Sequence, residues 1–138
     1  MAQARLTADT SVVVALLQEW HPRHEKALQA LDAVRWLPAH VLAESFSTVT
    51  RMLPPHAVSP GRAWLALSRA FPEPPVVLSA DGYLSVLQTL ADTGTAGGRV
   101  YDAIVAATAV EAGARLLSAD RRAVATYALV GAEYELVE

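Results

Sequence analysis

YDAIVAATAVEAGARLLSADRRA, residues 101–123, is the stretch that decides the fold. Its first half is rich in alanine, the best helix former, and apolar at nearly every position. The pattern predicts a helix over Val100–Ala112, with Gly113 in the stop position where a left-handed residue ends a helix. Arg115–Ser118 then reads as a buried strand, Asp120 follows it, and Arg121–Ala128 reads as a short helix. Helix, glycine, strand, acid and helix in succession form a building unit of a parallel sheet, because parallel strands must be joined by crossover segments.

The same alternation extends outward. Arg5–Ala8 is a short strand, and DTSVVVALL (residues 9–17) turns into a helix. Pro22 opens a second helix through about Ala33, with Ala27, Leu28, Leu31 and Val34 at helical spacing. His40–Met52 is a third helix, stopped by Pro54–Pro55. Ser59–Pro60–Gly61 starts a fourth that ends near Phe71–Pro72. Val76–Leu78 reads as a buried strand, Asp81–Ala91 as a helix, Thr93–Gly98 as a loop and Tyr134–Val137 as a last strand. The expected architecture is one α/β domain over residues 1–138, a mainly parallel sheet with helices on both faces. In such sheets ligands sit beyond the carboxyl ends of the strands, and Asp9 and Asp120 both fall at such ends.

Composition narrows the chemistry. The hydrophobic fraction is 53% and mean hydropathy +0.27, so most helices should be packed on several sides. No apolar run approaches the roughly 18 residues of a membrane span. Asp9, Thr10 and Ser11 interrupt what would be a signal peptide's apolar core, so a cytoplasmic protein is expected. With no cysteine, thiolate catalysis, disulfides and Cys-based metal sites are excluded. A net charge of −3 argues against a general nucleic-acid coat but leaves room for a local basic patch. The bases are ten arginines and a single lysine, Lys26. Phosphoryl-transfer domains that put aspartates at strand ends need a late lysine, and Lys26 lies on an early amphipathic helix.

Four acids stand where packing does not ask for them. Asp102 interrupts the apolar helix in its first turn, where a carboxylate costs several kcal/mol unless paired or metal-bound. Glu44 lies amid Val41, Leu42, Phe46 and Val49, with Ser47, Thr48 and Arg51 on its helix face. Asp9 and Asp120 close the runs RLTA and LLSA. Each has an ordinary reading too: the helix dipole for Asp102, a solvent edge for Glu44, N-capping for Asp9 and Asp120. Together they suggest one acidic pocket, in which like charges repel unless a cation neutralises them. All-oxygen ligands select a hard cation, Mg2+ or Mn2+. Glu111, nine residues beyond Asp102 and so about 180° round the helix, should point elsewhere as a solvated acid. The string LSAD occurs twice, at Leu78–Asp81 and Leu117–Asp120. Asp81 has no partner acid, so Ser79 and Asp81 suit a cap and first turn, whereas Asp120 is expected to do chemistry.

This constellation resembles the PIN-domain family, specifically the VapC-type toxins of bacterial toxin–antitoxin pairs. The matching segments are DTSVVVALL, AESFSTVTR (residues 43–51), residues 101–123 and the final strand. They run almost the whole length, while Pro54–Gly98 carries little family signal. The resemblance implies a three-layer α/β/α domain and an Mg2+-dependent endoribonuclease, with Mn2+ as a possible substitute. Asp9, Glu44, Asp102 and Asp120 match its acidic positions and metal ligands, and Ser118 matches a hydroxyl that orients Asp120 or a metal-bound water. The metal would activate a water for in-line attack on an RNA phosphodiester, with no need of histidine. RNA grip falls to Arg51 first, then Arg99, Arg121 and Arg122. The implied protein partners are a cognate antitoxin and a second copy of the chain. The competing reading is a catalytically silent binding module on the same fold.

Overall fold

The computed structural model describes residues 5–138. Strand β1 (Arg5–Ala8) and strand β3 (Tyr134–Leu136) flank strand β2 (Ala114–Ser118), and every pairing is parallel. Arg5 faces Ala114 and Ala8 faces Leu117; on the other side Leu116 faces Tyr134 and Ser118 faces Leu136. The middle strand is the apolar ARLLS run, buried at four of five positions, as a strand covered on both faces must be.

Seven helices connect and cover the sheet among the described residues: α1 (Thr10–Leu17), α2 (His24–Ala30), α3 (Ala39–Thr50), α4 (Pro60–Ala70), α5 (Ala80–Thr93), α6 (Arg99–Glu111) and α7 (Val124–Val130). Single 3-10 turns extend α2 over Leu31–Ala33 and lead into α7 over Arg121–Ala123. Helices α1 and α6 pack on β2; α2 and α3 back α1, and α5 and α7 back α6. The main core joins Val12, Val13, Ala106, Ala109, Leu116 and Tyr127. A smaller cluster, Leu78, Val86, Leu90, Ala103 and Ala107, seals α5 onto α6. The alanines explain why α6 can be buried on so many sides: Ala103 and Val105 through Ala109 are all interior. Gly113 ends the α6 segment at φ +65°, a conformation that favours glycine.

One strand expectation fails. Val76–Leu78 forms no strand of the sheet; only an isolated bridge links Val76 to Pro38. The segment PEPP before it removes the backbone donors that a ladder needs, and Val77 is 67% exposed. Helix α5 also runs two residues past its expected end and stops at Gly94, φ +66°.

Candidate active site

A parallel sheet brings its carboxyl ends to one edge, and that edge is where the acids meet. Asp9 follows β1 and Asp120 lies two residues past β2. The Asp9 N–H donates to Leu117 O at 3.0 Å, so the loop ends are sewn together. Helix α6 delivers Asp102 and α3 delivers Glu44 to the same place. All four line one cavity of about 510 Å³, with Thr48, Arg51, Arg122 and Tyr127 also on its wall.

Asp9 is the deepest acid, 4% exposed. It caps α1: its Oδ1 accepts from Val12 N at 3.4 Å and from the Ser11 hydroxyl at 2.5 Å. Its Oδ2 accepts from the Tyr127 hydroxyl at 2.6 Å. Burial pushes the Asp9 carboxyl above the usual range, against the lowering pull of hydrogen bonds from Ser11, Ser118, Tyr127 and Val12. Burial and the Asp9 charge likewise push the Tyr127 phenol up, so it stays a donor. The Ser11 hydroxyl also accepts from Ala119 N at 2.8 Å, tying the turn after β2 to the turn after β1.

Asp120 caps the 3-10 turn, accepting from Arg122 N at 2.9 Å. Its own N–H donates to the buried Ser118 hydroxyl at 3.0 Å. Asp102 is half-buried, and its carboxyl is pushed up to about 6 by burial first, then by Asp120, Asp9 and Glu44, with His40 pulling the other way. Burial supplies the largest part of that shift, and the three neighbouring carboxyls add to it. Glu44 Oε2 lies 3.3 Å from His40 Nε2, one turn back on α3.

The arginines divide. Arg51 and Arg122 stand on the cavity wall. Arg121 turns to the Glu138 carboxylate, and Arg99 is exposed at the first turn of α6, outside the cavity lining. Glu111 does point away from the cavity, yet it is not merely solvated: it accepts from Ser79 N at 3.1 Å and the Ser79 hydroxyl at 2.5 Å. Those bonds hold its carboxyl below the usual range. Ser79 caps α5 through Gly82 N, leaving Asp81 exposed in the first turn. Sequence reading missed Ser11, His40 and Tyr127. The signal for Tyr127 was a phenol on a mainly apolar helix, since a buried tyrosine needs a partner for its hydroxyl.

The donor set suits a hard divalent cation. Among the described residues no group of three acid or histidine side chains stands as a ready-made metal site. The donors round the cavity are carboxylate and hydroxyl oxygens, the type a hard divalent cation takes. The Thr10 hydroxyl, on the same wall, is buried without a hydrogen-bond partner.

A parallel α/β domain with acids gathered at the carboxyl edge of its sheet defines a class, and a family model assigns it. The PIN domain matches residues 7–129, and the chain belongs to the PIN-domain family, in its VapC-type branch. Ribonuclease VapC40 of Mycobacterium tuberculosis is 40% identical over 132 residues, 96% of this chain and 98% of that protein. Ribonuclease VapC27 of the same species is 38% identical over 128 residues, covering 91% and 92%. The fold is also similar to that of DNA-bound VapBC from Salmonella typhimurium, with a TM-score of 0.69 at 15% identity over 99% of this chain and all of that one.

Proposed function

We propose that this chain is a divalent-metal-dependent endoribonuclease, the toxin of a toxin–antitoxin pair. The observation that carries the reading is that four elements bring Asp9, Glu44, Asp102 and Asp120 to one cavity. The likeness to two proteins named ribonuclease, over nearly the full chain, supports the activity. These four acids would hold Mg2+, or Mn2+ in its place, and the bound cation would supply an activated water and offset charge on the transition state and leaving 3′-oxygen.

The chain's own residues set the stage for that chemistry. Ser11, Val12 N and Tyr127 fix Asp9 from both of its oxygens. Ser118 holds the Asp120 backbone, and Ser11 holds the turn before it. Arg51 and Arg122 offer guanidinium groups at the cavity wall, where a phosphate would approach. Exposed Leu53, Trp64 and Leu84 give apolar surface for an antitoxin and a second copy of the chain.

Purified protein, short RNAs and Mn2+ or EDTA test the reading, with Asp102→Asn as control. Expected is cleavage that needs the metal, yields 5′-phosphate and 3′-hydroxyl ends, and falls at least 100-fold in the variant, on the order of a lost metal ligand or catalytic carboxylate. Chelator-resistant cleavage leaving 2′,3′-cyclic phosphate would sink it.

A further inference from the structure

Beside the acids lies a pair of aromatic rings with no part in holding a metal. The His40 ring on α3 stacks on the Tyr101 ring on α6, centroids 5.2 Å apart and planes within 3° of parallel. Each member is fastened to a cavity acid. His40 Nε2 is 3.3 Å from Glu44 Oε2, and Tyr101 precedes Asp102 in the chain. Asp102 lines the cavity, and successive helix residues point about 100° apart, so Tyr101 is directed to one side of that wall. Its stack on His40, the partner of Glu44, keeps it next to the cavity. Tyr101 is 51% exposed on the first turn of α6, between half-buried Val100 and Asp102.

We propose that Tyr101, braced by His40, is a stacking subsite for one unpaired nucleobase beside the phosphodiester held at the acids. The proposal rests on the ribonuclease reading above. A phosphate bound at the cavity carries a base on each side within one nucleotide's length, and the rim is where such a base must go. A ring already held parallel to its neighbour loses little rotamer freedom when a base is added to the stack. Stacking needs a free base face, so unpaired RNA is favoured over duplex. An apolar side chain of a protein partner fits the place less well, because the ring's neighbour in the stack is the polar His40, itself joined to Glu44.

The test uses the full-length protein as wild type, Tyr101→Phe and Tyr101→Leu. The probes are single-stranded oligoribonucleotides carrying 2-aminopurine at one position at a time around the cleaved bond. In the wild type, emission should be quenched at one position only; Tyr101→Phe should keep the quench and Tyr101→Leu should lose it. Tyr101→Leu should also weaken RNA cleavage about 5- to 100-fold, with the loss falling on KM rather than kcat and Mn2+ affinity matching the wild type. Unaltered quenching and KM in Tyr101→Leu would overturn the proposal. So would unaltered RNA binding joined to weaker binding of a cognate antitoxin, which would assign the rings to a protein partner. A Tyr101-dependent quench without any metal-dependent cleavage would keep the base subsite and sink the nuclease reading instead.

Discussion

Replacing Tyr127 by phenylalanine deletes one oxygen from a side chain that is 1% exposed and leaves its ring packing in place. The lost bond is the 2.6 Å donation to Asp9 Oδ2. A hydrogen bond to a charged group contributes roughly 1.5–3 kcal/mol net, and the buried acceptor left behind adds a desolvation penalty. Asp9 would then keep Ser11 and Val12 N on Oδ1 and the Ser118 hydroxyl nearby, but lose the donor that fixes Oδ2, so that its carboxylate could swing on that side. Groups that orient a metal ligand are typically worth about 10–100-fold in affinity or activity. The expected result for Tyr127→Phe is therefore Mn2+ affinity lowered by about that factor, read by titration calorimetry, with kcat/KM lowered alongside. Asp9→Asn supplies the control for a merely structural role. In a double-mutant cycle, Tyr127→Phe should cost little more once Asp9 is already asparagine, because the two act as one unit. Affinity within twofold of wild type, or full additivity in the cycle, would refute the idea that Tyr127 works by positioning Asp9.

Asp102 makes stability depend on pH. Its folded-state carboxyl is raised to about 6 from the ordinary 3.8, so the metal-free native state keeps a proton that the unfolded chain releases. The resulting stabilisation is full below 3.8 and is lost as pH climbs through about 6. At face value a shift of ~2 units corresponds to ~3 kcal/mol; for a half-buried group solvent screening leaves about 1 kcal/mol. Metal-free thermal unfolding should thus show Asp102→Asn gaining about 3 °C on the wild type between pH 4.5 and 7.5, and an unchanged gap would count against the crowded-carboxyl account. At pH 7.5 Mn2+ should raise the melting temperature of the wild type more than that of Asp102→Asn. Among the arginines, Arg51→Ala should weaken RNA binding and lower its salt slope by about 1, while Arg121→Ala, whose side chain is turned to Glu138, should leave that slope in place; equal effects would remove the distinction drawn from the cavity wall.

Periodicity and punctuation in the sequence were enough to place the three strands and seven helices within a few residues, because each obeys a local rule. Helix α3 ends a few residues before Pro54, Gly113 stops the α6 segment, and the short runs RLTA and ARLLS make β1 and β2. Gathering the four acids was legible for the same reason: strand ends of a parallel sheet share one edge, and Asp102 and Glu44 violated the patterns of their own helices. What stayed hidden was set by contacts between distant segments. The phenol on α7 needs a partner, but nothing near Tyr127 in sequence says that it is Asp9, 118 residues away. Likewise the Glu111 carboxylate is committed to Ser79, 32 residues upstream, although the helix wheel gave its direction correctly.

The two copies of LSAD show why a cap and a chemical group are not alternatives in this fold. An N-cap residue sits where an extended segment turns into a helix, and when that segment is a strand of a parallel sheet the cap lands on the sheet's carboxyl edge. Asp120 and Asp9 therefore cap and line the cavity at once, accepting from Arg122 N and Val12 N. Each keeps a carboxylate beside the backbone N–H groups that open its helical turn, a position that favours negative charge. The first LSAD lacks the strand: prolines break Val76–Leu78 away from the sheet, the cap falls to Ser79, and Asp81 is left in solvent. The same four letters thus diverge because of the residues before them, and joining the upstream run to the sheet is the step that turns a capping aspartate into a member of the acidic cavity.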